Sequence, residues 1–162
     1  MVKLDLLSPN LVLILTTLLQ NQNICKYLLY NTQNPLAEND IQDTTSLMLK
    51  YVFPTPFDPE IVNDDTSTLR VFFLRGDFTK EYPIGVQTKV FFDIVVNKQN
   101  WLINDGTPKI RPYEIMSEIV NMLDNQSVGT LGKLHFQNFA HMAINLNFDG
   151  IRLTADMNTL KR

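Results

Sequence analysis

Few side chains in this sequence are grouped in a way that could do chemistry. His135 and His141 are its two histidines. His141 shares the polar side of an alternating stretch with Asn145 and Asn147, where a zinc ion would still need further histidine, cysteine or carboxylate ligands. A surface histidine is expected. Asp93 stands inside the apolar run Val90-Phe91-Phe92-Asp93-Ile94-Val95-Val96. A carboxylate in such a place must be paired or lie at a rim, because an unpaired charge is costly to bury. No second carboxylate follows at a fixed local spacing, so pairing with a basic group such as Arg70 or Lys89, or an interface position, is expected in place of a perturbed catalytic acid. Cys25 is the single cysteine, which excludes an internal disulfide and a multi-cysteine zinc site. Its apolar surroundings point to a buried, inert thiol and to synthesis inside the cell. Asp58, Glu60, Asp64 and Asp65 are close together but lack the glycine and oxygen spacing of a calcium loop, and read as a solvated acidic loop. Serine nucleophile elbows, phosphate-cradling glycine loops and HExxH are absent. No enzyme, cofactor or metal centre is expected.

The totals agree with a non-catalytic domain. At 162 residues the chain suits one soluble domain, 1–162, with a sizeable core. A net charge of -3 without a basic block argues against a dedicated nucleic-acid binder. The run Leu11 to Leu15, continued by Leu18 and Leu19, is too short to span a bilayer. With only Lys3 before it, followed by Asp5, it also lacks a signal peptide's basic region, so export is not expected. Arg75-Gly76-Asp77 matches an adhesion tripeptide by letters alone, and Gly76 reads better as a bend or bulge.

The fold class expected is α+β: a mixed, mostly antiparallel β-sheet with an amphipathic helix packed on it, an N-terminal helix and a projecting hairpin arm. Val90 to Val96 is a near-continuous β-branched and aromatic run, suited to a central strand covered on both faces. A short Trp101-led strand and an Asp105-Gly106 turn follow. Pro112 then stands at a tolerated first-turn position of a helix whose Ile115, Ile119, Met122 and Leu123 share a face, with Met116 and Val120 beside them and Glu118 opposite. Upstream, Ser8 before Pro9 predicts a helix start and a mostly apolar helix to about Gln20, with a second short helix over Ile24 to Tyr30. Loops are expected at 31–45 and 53–67, where Pro54, Pro56 and Pro59 leave Phe53 and Phe57 either pinned to the core or shown to a partner. Leu69 to Leu74 is a strand, and Arg75 to Thr88 the projecting arm. After a loop at Gly129 and Gly132 come Leu134-Phe136, Met142 to Phe148 and Ile151 to Met157, alternating strands, the last two joined by a hairpin turn at Asp149-Gly150.

With no chemical site, function falls to surfaces. Arg75, Asp77, Lys80 and Glu81 set charges of both signs beside Phe78 and Tyr82, as a polar rim surrounds aromatic anchors. Phe53, Phe57 and Trp101 complete the candidate interface.

The pattern from Lys89 onward is the strand KVFFDIVVN, the short WLIND, the helix introduced by KIRPYEIMSEIVNML, and the pair MAINLNFDG and IRLTADMNTL. It resembles the small morphogenesis proteins of tailed bacteriophages, in particular the tail terminator and head-tail joining (neck) proteins. The resemblance covers roughly the C-terminal half. The N-terminal helix agrees in placement, while the proline-rich stretch and the arm depart from the compact pattern. It implies a structural virion protein of the tail or neck, made in the host cytoplasm, that forms a homo-oligomeric, commonly hexameric, ring at the head-tail junction. As a tail terminator it would cap the tail tube and dock to the head connector, its partners being itself, the tail tube protein and the neck proteins. DNA could pass through the lumen, without sequence-specific nucleic-acid or membrane binding. A head-closure or adaptor role is the alternative within that class. A non-viral ligand-binding module, with Trp101, Tyr82 and Phe57 lining a pocket, is the alternative outside it.

Overall fold

The computed structural model describes residues 4–78, 86–129 and 132–158. Its strands are β1 (Val52–Phe53), β2 (Thr68–Phe78), β3 (Val86–Asn97), β4 (Leu102–Asn104), β5 (Pro108–Ile110), β6 (Leu134–Ala143) and β7 (Phe148–Asn158). The helices are α1 (Leu7–Leu19), α2 (Gln22–Leu29) and α3 (Arg111–Leu123). Five strands form one sheet in the order β1-β2-β3-β7-β6, antiparallel except for the short β1-β2 pair, and β4 and β5 make a separate hairpin. The expected α+β architecture is the one observed.

The apolar run places β3 at the centre, because only a middle strand loses water from both faces. Phe91 to Asn97 are all buried. Val90, Phe92, Ile94 and Val96 meet the helical layer, in one core with Ile14, Leu18, Ile24 and Leu28 of α1 and α2 and Ile115 and Ile119 of α3. Arg111, almost fully buried, locks this layer together. Its guanidinium donates to the carbonyls of Asn100 (2.8 Å), Tyr27 (2.6 Å), Tyr30 (2.7 Å) and Thr32 (2.9 Å). Two of these carbonyls belong to the C-terminal end of α2, where main-chain oxygens lack helical partners and a cation is favoured. Cys25 is buried, and desolvation pushes its thiol up to about 11. It is not a poised nucleophile.

The second face of the sheet is covered at one end by the loop after β1. Phe57 packs on the buried Phe148 with ring centroids 5.1 Å apart. The Asn145 amide donates to the carbonyls of Pro59 and Ile61, both at 2.9 Å, and Asn147 to that of Val62. The proline-rich stretch is therefore pinned. In the acidic loop, Asp58 accepts from the Glu60 amide and Asp64 from the amide and hydroxyl of Thr66. The Thr66 hydrogen bonds hold the Asp64 carboxyl below its usual range. Its carboxylates brace turns.

Several local expectations need correction. Asp149 and Gly150 lie inside β7, and the β6-β7 turn runs through 144–147, where Asn145 Oδ1 accepts from the amides of Asn147 and Phe148. Met142 thus lies near the end of β6, which Ala143 closes, Phe148 opens β7, and Leu146 projects from the turn at 88% exposure. Ser8 is not the cap of α1. The helix begins at Leu7 after a short 3-10 turn over Leu4–Leu6, which moves Ser8 and Pro9 into its first turn. In place of an uninterrupted loop, 31–45 includes short 3-10 turns beginning at Pro35 and Thr44.

Leu49 adopts φ 60, a left-handed conformation that costs a residue with a Cβ about 1 to 2 kcal/mol, while its side chain is 63% exposed. Leu49→Gly is expected to stabilise the fold by roughly 0.5 to 1 kcal/mol, the relief of strain exceeding the added freedom of the unfolded chain. Urea unfolding monitored by circular dichroism tests this, and a lower midpoint at unchanged slope would show that the Leu49 side chain holds the turn.

Candidate assembly surface

Among the described residues the sheet is finished on neither side. On β2, β1 pairs only with Leu69 and Arg70, and among the described residues no strand lies against Val71 to Phe78 on that side. On β6, the outer edge is closed near its start: Leu134 exchanges main-chain hydrogen bonds with Asn125 and Gln126, and the Phe136 amide donates to Asp124. From Asn138 to Ala143 the outer edge has no described strand partner. Each edge strand has a bulge, between Phe73 and Arg75 on β2 and between Phe136 and Asn138 on β6. Bulges of this kind break up an edge and limit indiscriminate pairing.

The nine candidate residues fall into separate groups. Phe53 and Phe57 come together under Arg70, whose guanidinium carbon lies 3.7 Å and 5.5 Å from their ring centroids. Both are half-buried, so the loop's aromatics mainly clamp their own chain. Arg75, Asp77 and Phe78 lie on the exposed end of β2, where Arg75 pairs with Asp77 at 3.0 Å and Phe78 is 61% exposed. This described part of the arm is an extension of the sheet, since β3 pairs with β2 through Val86 and with β7 through Gln87. Lys80, Glu81 and Tyr82 lie outside the described residues. Trp101 is remote from these groups in the chain and in its contacts, half-buried beside the His141 ring of β6 at 5.8 Å between centroids. His141 also faces Asp149 at 3.1 Å. Among the described residues no group of three or more histidine, cysteine or carboxylate side chains is placed to hold a metal ion.

Asp93 has a partner other than the two expected. The register sets it between Arg70 of β2 and Arg152 of β7. Arg152 takes it, with Nε and Nη2 each 2.8 Å from a carboxylate oxygen, and also covers the Phe91 ring at 4.1 Å. The Asp93 hydrogen bond raises the Arg152 pKa further above its ordinary value. Arg70 turns away to Phe53, and Lys89 pairs with Asp156 at 3.3 Å. The bidentate geometry of the Asp93-Arg152 pair explains a carboxylate in a central strand without any catalytic role.

Sequence reasoning missed a groove of about 380 Å³ between α3 and β6, lined by Met116, Ser117, Val120 and Asn121 on the helix and by Phe136 to Phe139 and Leu153 on the sheet. Among the described residues no ionisable side chain lines it. Its mouth adjoins the open part of β6, where Phe139 is 55% exposed and meets the Tyr113 ring edge-on.

None of the curated proteins compared with this chain matches it. The YomW family model matches residues 21–157, from the cap of α2 almost to the end of β7, with α1 before the matched span. The chain belongs to the YomW family, whose name, derived from a Bacillus phage, suggests a phage-associated protein.

Proposed function

We propose that this protein is a non-enzymatic structural component of a tailed-phage particle, assembling as a ring at the head-tail junction, with the tail terminator as its role. The supporting observation is a sheet that, among the described residues, is open on both sides with its two free edges running in opposite directions. Because β2-β3, β3-β7 and β7-β6 are all antiparallel, β6 runs opposite to β2. One copy's β6 can therefore lie antiparallel beside the next copy's β2, a head-to-tail contact that joins different surfaces and closes into a ring when the rotation allows. The phage association of the family and the resemblance of the C-terminal half to tail terminator and neck proteins supply the setting.

Native mass spectrometry and negative-stain electron microscopy of the purified chain, alone and with purified tail tubes, test this reading. A closed ring with one dominant copy number, bound at one end of the tube, is expected. A chain that stays monomeric at every concentration and does not bind tubes would refute it. Rings that bind the head connector and ignore tubes would move the role to head closure.

A further inference from the structure

Resting on the ring reading above, we infer that the groove between α3 and β6 receives the Leu74 to Phe78 edge of β2 from a second copy of this chain. Strand addition to an open edge takes its affinity from main-chain hydrogen bonds and its specificity from pockets that accept alternate side chains. Both parts are in place. The open stretch Asn138 to Ala143 offers the main-chain groups, and the groove opens beside it.

The faces agree. On β2, Gly76 pairs with Thr88, two residues from Val90 on the helix-covered side of β3, so Phe78, two residues beyond Gly76, falls on the helix-covered side as well. On β6, Phe139 pairs with Leu153 of the core and lies on that side too. If the sheet runs on from one copy to the next, Phe78 of the incoming strand faces the side of β6 where Phe139, Met116 and Val120 line the groove. A one-residue change of register would turn it to the other face.

The charges agree as well. The described groove lining carries no ionisable group. On the incoming strand, Arg75 and Asp77 neutralise each other at 3.0 Å, leaving Phe78 (61% exposed) as the apolar anchor on the helix-covered side. A nucleic acid or a strongly charged peptide would leave its charges unmatched here, whereas a neutral apolar strand would not. This chain carries such a strand, exposed, at the opposite edge of the same sheet.

A head-to-tail contact has two different halves, and each can be broken separately. Phe78→Asp spoils the incoming strand and leaves the groove intact. Phe139→Asp spoils the groove, and Asn121→Arg fills it from an exposed helix position should Phe139→Asp fail to fold. Circular dichroism and thermal melting confirm that each variant is folded. By native mass spectrometry each variant alone should be monomeric, and a mixture of Phe78→Asp with a groove variant should give a 1:1 dimer that grows no further, because only one good strand and one good groove remain. Wild-type chains that assemble while the variants assemble equally well would overturn this inference and leave the ring standing. Variants that are monomeric alone and stay monomeric when mixed would also overturn it. A wild-type chain that never self-associates would remove both readings.

Discussion

Arg111→Met is expected to cost about 3 to 5 kcal/mol, because several buried carbonyls lose a charged donor together and each buried acceptor left unsatisfied costs about 1 to 3 kcal/mol. That is a large share of a typical total of about 5 to 15 kcal/mol. The four carbonyls of Asn100, Tyr27, Tyr30 and Thr32 receive their hydrogen bonds from one guanidinium, and Arg111 is 1% exposed. Methionine fills much of the same space yet donates nothing. The end of α2, the loop that follows it and the approach to α3 would each lose a tie at once. Arg111→Lys should recover only part of the loss, since an ammonium is a point donor and lacks the planar fork that reaches several acceptors in fixed directions. Urea unfolding followed by circular dichroism gives both values. A methionine variant within about 0.5 kcal/mol of wild type, the range typical of an unremarkable surface substitution, would mean that the carbonyls find other partners and that Arg111 is not the lock.

The parts of the fold that could be read from the sequence are those whose physics is local. The apolar run of β3 and the helical spacing of Ile115, Ile119 and Leu123 announce burial by pattern alone, and all three of those helix residues are in the core. The last hairpin was misplaced because glycine has more than one use. A Cβ on Gly150 would meet the Ile94 carbonyl oxygen at 2.8 Å and Met142 Cε at 2.8 Å, so glycine is required there by the close approach of neighbouring strands, inside β7 and not at a turn. Arg111 gave no signal, since its partners are main-chain oxygens contributed mostly by α2 and the loop after it. The groove between α3 and β6 was equally hidden. Its walls come from residues 116–121, 136–139 and 153, which only the packed sheet brings together. Asp93 was correctly read as a paired carboxylate. Which of several arginines and lysines would take it depended on strand order, which local pattern does not encode.

Ile119→Asp is the second large effect, and its comparison with Glu118→Ala separates packing from surface chemistry on a single helix. Ile119 is fully buried in the core between α3 and the sheet. An aspartate there either stays charged without a partner or becomes neutral at the cost of a raised pKa, and the apolar contacts are lost in both cases. The expected loss is about 4 kcal/mol or more, placing it among the exceptional single substitutions, with the domain largely unfolded if its starting stability is at the low end of the usual range. Glu118 was expected from helical spacing to be a dispensable outward residue, and its contacts change that. Its carboxylate accepts from the side chains of Asn21 at 3.0 Å and Asn23 at 2.9 Å, binding the start of α2 to α3. Asn21 is also the cap of α2, accepting from the Ile24 amide at 3.1 Å. Glu118→Ala should therefore cost about 1 kcal/mol, in the range of a single hydrogen-bonded tie, in place of the near-zero effect of a free surface residue. The two values come from the same urea titration. If Ile119→Asp is as mild as Glu118→Ala, the face of α3 assigned to the core is wrong, and if Glu118→Ala is silent, the asparagines are held by the fold without it.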